Sequence, residues 1–598
     1  MKILFVAPIY YEELSPAIGV LNLATILNQS HYFASIIDFQ YMYQKGTIRR
    51  YEESEKNFDE MANAIIAENP NIVGFSCMYN CYHTFIKVAE RVKKNSPETK
   101  IIFGGPQASV TAIETLNKFK WIDIIMIGES EGNIIKIVDA LSEKRDYIGI
   151  PSIAYRGNDV VIQNKAQNML EDLDALPYPD YSLLPYAHEL TSFPIEGGRG
   201  CPYGCIYCST KSFWKRQYRM KSISRIISEI KTIQKTYDVH QFSFIHDLFT
   251  ANRLFIIEFC NSLIKEKLDI EWFCSARIDT IDEEILQIMK SAGCKRIYFG
   301  IESGSQRMQK IINKNLKIKT VMEKVDVLKK CSMDEYVFSF IYGFPQEQIE
   351  DVNDTVKLIE HLLDKGFRSI QLHRLSILPG TEIFEKYKYS LQIKDLGESI
   401  EDVDFESCLD IIKESPLLFS YFYDHEDIQN NKLNSLEGFI ANIYIPLYDV
   451  LTNTFRLIKE TYGDNLINIY HVFLEQNKNF FKETCSHQKF YFSNHNSCES
   501  EVLRKLYQIK RVIENTSFGE KTSIIKDVFN FEMNLVEFVQ NIETENMTQG
   551  YSCDVIRVRN RKLKIDQIKR ENIKIDFLKL DRRIEIKKCE RYLEVEGM

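Results

Sequence analysis

The run Glu196-Gly197-Gly198-Arg199-Gly200-Cys201-Pro202-Tyr203-Gly204-Cys205-Ile206-Tyr207-Cys208 decides how this chain is read. Its three cysteines fall within eight residues, just after an apolar stretch, Phe193–Glu196, that reads as a strand. Thiolates are soft ligands, and cysteines spaced this closely hold iron–sulfur clusters. A structural zinc site needs a fourth ligand nearby, and the first Cys or His after Cys208 is His240. Three thiolates leave one iron of a four-iron cluster open to a further ligand. The glycines allow the backbone to wrap closely around such a group.

Toward the C-terminus a strand–helix rhythm runs outward from this loop. Strands are expected at Phe193–Glu196, Phe242–Ile245, Trp272–Ala276, Arg296–Ile301, Val337–Ile341 and Ile370–Leu375. Helical spacing fills the intervals near 222–236, 252–266, 282–291, 318–330 and 351–364. Six strands with five intervening helices predict a parallel (β/α)6 barrel or partial barrel, whose chemistry gathers at the C-terminal strand ends. Toward the N-terminus the same rhythm fills residues 1–145. Strands are expected at Ile3–Ala7, Ser35–Phe39, Ile72–Ser76, Ile101–Gly105 and Ile124–Glu129, with helices near 16–28, 58–68 and 84–94. Apolar strands separated by helices predict a doubly wound parallel sheet, with ligands beyond its carboxyl strand ends. Residues 146–190, with Leu176-Pro177-Tyr178-Pro179, read as a linker, and 191–395 as the barrel. Residues 396–598 read as a mostly helical domain that closes on a small basic β-meander near 553–592.

The bulk composition fits this layout. A length of 598 residues predicts several domains. A net charge of -9 argues against a general nucleic-acid binder. No apolar run approaches a membrane span and the start does not read as a signal peptide, so a cytoplasmic enzyme without membrane attachment is expected. The 14 cysteines are scattered, unlike those of a secreted disulfide scaffold. Cys485, Cys498, Cys553 and Cys589 have no ligand spacing and read as core residues.

Cys-x3-Cys-x2-Cys with an aromatic, Tyr207, before the last cysteine resembles the signature of the radical S-adenosylmethionine (SAM) superfamily. The resemblance implies a [4Fe–4S] cluster on Cys201, Cys205 and Cys208, with SAM chelated at the open iron. It implies reductive cleavage of SAM to a 5′-deoxyadenosyl radical that abstracts hydrogen from a substrate, the electron coming from a donor such as flavodoxin or ferredoxin. Carried onto the strand ends, it places SAM against Asp247 (amino group), Ser275, Arg277 (carboxylate, by a forked contact) and Glu302 (ribose), with Gly343–Glu347 and Leu378–Thr381 near the adenine. Asp247 as a helix N-cap and Arg277 as a surface ion pair are the structural alternatives.

The α/β domain ahead of the barrel resembles the cobalamin-binding domain of the cobalamin-dependent subfamily. Its matching pieces are Gly74-Phe75-Ser76, Phe103-Gly104-Gly105-Pro106 and Gly128-Glu129-Ser130-Glu131, which place Ser76, Gly104, Gly105, Gly128 and Glu129 against the cofactor. The Asp-x-His-x-x-Gly motif that supplies a lower cobalt ligand in many such domains is absent, since Asp38-Phe39-Gln40 stands there. His83 reads as a surface residue, and Cys77–Asn80 as cover for the lower face. The expected activity is methyl transfer to an unactivated carbon of a peptide or natural-product substrate. The alternatives are a radical isomerase or cyclase and, last, a non-enzymatic cobalamin or redox sensor.

Overall fold

A computed structural model describes residues 1–394 apart from 10–13, 52 and 158–159, and residues 405–425, 433, 436–448, 451 and 454–458. Beyond these it describes positions 467, 470, 510, 513, 526, 528–530 and 533, and the backbone of four short strands between 557 and 597. The chain divides into two compact units, residues 1–395 with 400–431, and residues 396–399 with 432–598.

The first unit holds two parallel sheets. In the N-terminal sheet β1 (Lys2–Val6), β2 (Phe33–Ile37), β3 (Ile72–Ser76), β4 (Lys100–Gly104) and β5 (Ile124–Met126) run parallel in the order 2-1-3-4-5. The winding reverses between β1 and β3, which opens a crevice at their carboxyl ends. Apolar residues line both faces of these strands: Ile72–Phe75 and all of β5 are buried, as a sheet sandwiched between helices requires. The second strand ends at Ile37, because Asp38 caps the helix Phe39–Gln44 by accepting from the Tyr41 amide. The expected linker over 146–190 is not wholly irregular. Within it β6 (Ile153–Gly157) and β7 (Val160–Gln163) form an antiparallel hairpin that extends the first sheet beside β5.

The second sheet contains the six expected strands, β8 (Ser192–Ile195), then, past the short pair β9 (Gly198–Arg199) and β10 (Arg219–Met220), β11 (Gln241–Phe244), β12 (Glu271–Ala276), β13 (Cys294–Glu302), β14 (Glu335–Tyr342) and β15 (Ile370–Arg374). They pair in parallel in the order 8-11-12-13-14-15, with no hydrogen-bonded ladder between β8 and β15, so this is a partial barrel. Helices Ile223–Tyr237, Arg253–Lys265, Glu283–Ser291, Ile318–Cys331 and Ile349–Asp364 occupy the intervals. Along β12 burial alternates strictly, with Trp272, Cys274 and Ala276 buried and Glu271, Phe273 and Ser275 less so. One face therefore packs under the connecting segment and helix after β11, where Trp272 meets Phe244 at the end of β11 and Phe249 and Phe259 beyond it, while the other faces the barrel interior.

The antiparallel pair β16 (Leu391–Ile393) and β17 (Tyr423–His425) follows. Residues 405–425, expected with the C-terminal domain, pack in the first unit instead. Asp424 pairs with Arg374 at the end of β15, the Gln107 side chain donates to the Leu418 carbonyl at 2.7 Å, and Phe419 packs on Tyr82.

In the second unit, short helical turns span Leu436–Leu447, and β18 (Arg557–Arg559), β19 (Lys562–Ile565), β20 (Ile584–Cys589) and β21 (Tyr592–Gly597) form an antiparallel sheet in the order 18-19-21-20. A meander would pair β19 with β20; here β21 lies between them. The stretch 566–583 of the expected meander, and Cys485, Cys498 and Cys553, lie outside the described residues. Among the described residues no helix is long and apolar enough to cross a membrane.

Candidate functional site

The cysteine loop leaves the barrel after β8 and returns through a two-residue ladder in which Arg199 faces Arg219 and Gly198 faces Met220. Gly200 has φ +84°, and a Cβ there would lie 2.0 Å from the Gln217 carbonyl oxygen, so only glycine closes this turn. The Ile206 amide donates to the Ile312 carbonyl and the Ile383 amide to the Ile206 carbonyl, each at 3.1 Å. The Asn313 side chain donates to the Gly204 carbonyl at 2.8 Å.

Cys201, Cys205 and Cys208 are free thiols, Cys205 buried and the others partly so. Burial pushes the Cys201 thiol up to about 11, and the neighbouring Cys208 and Cys205 add to the rise, so the three sulfurs lie within electrostatic reach of one another. A cluster would reverse this by stabilising the thiolates. Among the described residues no three His, Cys, Asp or Glu side chains are arranged around a single ion. In a four-iron cluster each thiolate binds a different iron. Three undisulfided thiols on one braced loop fit such a cluster.

Asp247 is neither an N-cap nor a free carboxylate. Its Oδ2 accepts from the Gly200 amide at 3.2 Å and its Oδ1 from the Thr210 hydroxyl at 3.1 Å. It therefore bridges the two ends of the cysteine loop, and burial raises its pKa. The helix N-cap next to it is Asn252. Arg277 is buried, and its fork is already engaged: Nε and Nη2 donate to Asp279 at 3.0 and 2.9 Å, and Nη2 also to the Lys314 carbonyl at 3.1 Å. Its guanidinium lies 3.9 Å from the Tyr203 ring centroid. Nη1 is buried without a partner, so one donor nitrogen remains, and the forked contact expected with a ligand is made with Asp279.

Glu302 ends β13 with φ +71°, a left-handed conformation that strains a non-glycine residue. The pairing of β13 with β14 also slips between Gly300 and Glu302. Its carboxylate pairs with Lys314 at 2.9 Å, both groups about nine-tenths buried. Burial, then the charge of Glu302 and the proximity of Cys205, push the Tyr207 hydroxyl well up. The Tyr207 ring meets Phe344 edge-on at 5.5 Å. Ser275 lies on the interior face of β12, opposite Tyr298 of β13.

At the carboxyl ends of the N-terminal sheet the expected residues separate. Ser76 is partly buried at the end of β3. Gly104 ends β4, and Gly105 has φ +90°, with a Cβ position 2.9 Å from the Cys77 backbone. Contact with protein backbone thus suffices to require glycine at 105. Gly128, with φ +74°, faces open space. The Glu129 carboxylate is not free to meet a cofactor: it accepts from Arg199 at 2.8 Å, from Arg219 at 2.9 Å and from the Leu170 amide at 2.8 Å. Tyr79, in the stretch expected to cover a cofactor, lies near Ser209 beside Cys208; burial pushes its hydroxyl up to about 12, and Ser209 opposes the rise. His83, expected at the surface, is fully buried edge-on against Phe422.

The sequence by itself assigns no role to Lys314, Asp279, Arg199 or Glu131. Arg199 and Glu131 did carry a signal, as charged residues set between glycines or strand ends in runs that were otherwise singled out. Lys314 and Asp279 had none.

The family model described as the Radical SAM superfamily matches residues 195–359, and that described as the B12 binding domain matches residues 9–137. An uncharacterised methyltransferase of Pyrococcus horikoshii is 30% identical over 400 residues, covering 64% of this chain and 83% of the relative. The anaerobic magnesium-protoporphyrin IX monomethyl ester cyclase of Rubrivivax gelatinosus is 26% identical over 361 residues, covering 58% of this chain and 62% of the relative. Among solved structures, the cobalamin-dependent SAM radical enzyme OxsB, with aqua-cobalamin and SAM bound, superposes with a TM-score of 0.57 at 15% identity, covering 93% of this chain and 82% of that one.

Proposed function

The chain belongs to the radical SAM enzymes that carry a cobalamin-binding domain, and from that premise we propose that it methylates an unactivated carbon of a peptide or natural-product substrate. Its cofactors are a [4Fe–4S] cluster, SAM and cobalamin. When bound, the cluster supplies the electron that opens SAM to the hydrogen-abstracting radical, and cobalamin supplies the methyl group. The observation that carries the proposal is that the carboxyl end of the N-terminal sheet meets the cysteine loop, through Glu129 and Glu131 to Arg199.

Cys201, Cys205 and Cys208 would hold three irons, with Asp247 fixing the loop that presents them. The unpartnered Nη1 of Arg277 is the donor left for the SAM carboxylate. Glu302, paired with Lys314, would accept from the ribose hydroxyls, and the Tyr207–Phe344 wedge would flank the adenine. The electron donor is of the flavodoxin or ferredoxin class. The likeness to a cyclase supports a second reading, radical cyclisation or rearrangement without methyl transfer.

Anaerobic purification with iron and cobalamin quantified, followed by incubation of the reduced holoenzyme with CD3-labelled SAM and a small-molecule extract, separates the two. Label gained by a product supports methylation. Iron in cluster amounts without cobalamin, or SAM cleavage with a product of unchanged mass, overturns it.

A further inference from the structure

The N-terminal sheet and the cysteine loop are joined by a buried network of charges that the proposed chemistry does not use. Arg199, one residue before Gly200-Cys201, donates to three carboxylates: Glu129 at 2.8 Å, Glu131 at 2.6 Å and Glu196 at 2.7 Å. Glu129 and Glu131 follow β5 of the first sheet, whereas Glu196 follows β8 of the barrel. Arg219, on the returning arm of the loop, pairs with Glu129 at 2.9 Å and donates to the Leu170 carbonyl in the connector. The Trp214 ring, in the helix that follows Cys208, lies 5.7 Å from Arg199 and 5.6 Å from Arg219. Lys221 closes the far side on Glu196 and Glu229. The Arg199 side chain is only 4% exposed.

Buried ion pairs of this kind add little to stability compared with apolar packing of the same volume, but they tolerate very few geometries. A fork that satisfies carboxylates from two sheets sets the position of one sheet against the other. Both arms of the cysteine loop, through Arg199 before Cys201 and through Trp214 and Arg219 after Cys208, are part of that fork. The counter-charges of Arg199 thus come from both sheets: Glu196 from the barrel, and Glu131 and Glu129 from 68 and 70 residues earlier, at the end of the N-terminal sheet.

We propose that Arg199 is a positioning residue, which through Glu129 and Glu131 makes the geometry of the cluster loop depend on the N-terminal domain. The proposal rests on the loop being the cluster loop of the family, and not on methyl transfer. The carboxyl ends of the N-terminal strands are thereby held at a fixed separation from the cluster.

The test uses Glu131→Gln in the full chain, a nearly isosteric change on the N-terminal side that leaves Arg199 its other two carboxylates. Hydrogen exchange of the cofactor-free protein should speed up about threefold or more over residues 197–208, with helix 349–364 unchanged. After anaerobic reconstitution, the EPR spectrum of the reduced cluster should shift in Glu131→Gln, and more in Arg199→Lys, which keeps the charge but loses the fork. Faster exchange confined to residues 126–135, or a cluster spectrum identical to wild type in both variants, overturns the proposal. Neither readout requires cobalamin or a methylated product, so a failure of the proposed function leaves this result standing.

Discussion

The two parallel sheets of the first unit are built from the same unit of strand and helix, yet they offer their residues to chemistry differently. In the N-terminal sheet Ile72, Val73, Gly74 and Phe75 are buried in succession. In the barrel, β12 and β15 bury every second residue, and Gln371 and His373 remain accessible on the interior face. Helices cover both faces of the first sheet, so it can use only its strand ends. The partial barrel has an interior, so it can use strand faces as well as ends. Partial desolvation lowers the pKa of His373, and the Glu302 charge opposes the change. Charged groups are engaged by protein at both sets of strand ends, Glu129 by Arg199 and Glu302 by Lys314, but the barrel end keeps one unmatched donor, Nη1 of Arg277, and a left-handed backbone at Glu302.

The largest expected effect breaks the barrel side. Replacing Cys201, Cys205 and Cys208 by Ala should abolish both the brown cluster absorbance and reductive SAM cleavage; cleavage that survives the triple change would refute the assignment of the cluster.

The junction between the sheets comes next. Arg199→Met leaves Glu129, Glu131 and Glu196 facing one another without their shared cation, and loss of one partner from a buried pair costs about 3–5 kcal/mol. A fall of several degrees in the melting temperature of the first unit is the expected reading, and an unchanged melting curve contradicts it.

A third change acts on the barrel alone. Glu347 accepts from the Gly343 and Phe344 amides, and burial pushes its pKa from 4.5 to about 8. Its folded form holds a proton that the unfolded form releases. Its contribution to stability is therefore complete below about pH 4.5 and is lost as pH rises through about 8. Glu347→Gln keeps an acceptor for both amides and should flatten this loss, by up to a few kcal/mol at pH 9. Melting curves of both proteins at pH 6 and pH 9 decide it, and equal pH slopes count against it.

The smallest effect compares two glycines of the N-terminal sheet. Gly105→Ala meets both a left-handed φ and the Cys77 backbone, whereas Gly128→Ala meets the φ alone. Gly128→Ala should cost about 1–2 kcal/mol and Gly105→Ala clearly more. Equal losses in chemical denaturation would show that Cys77 yields.

Much of this architecture is legible in the chain. The expected strands Trp272–Ala276 and Ile72–Ser76 match β12 and β3 to within a residue, because glycine, proline and polar residues bound short apolar or alternating runs. Where a run has no boundary residue, the element departs from its expected span: Asp38 ends a strand whose apolar content extends to Phe39, and the hairpin at 153–163 is hidden in a linker because an edge pairing leaves no period of its own. The order 18-19-21-20 in the last sheet was equally hidden, since alternation specifies a strand but not its neighbour.

By itself, then, the sequence determined the local elements, the two βα series and the three-thiol loop, because these depend on residues a few positions apart. The tertiary structure decided which charged groups remain available. Arg277 spends its fork on Asp279, Glu302 is held by Lys314 twelve residues on, and Glu129 meets Arg199 seventy residues on. A buried charge takes the nearest partner in space, and the chain reveals that partner only once it has folded.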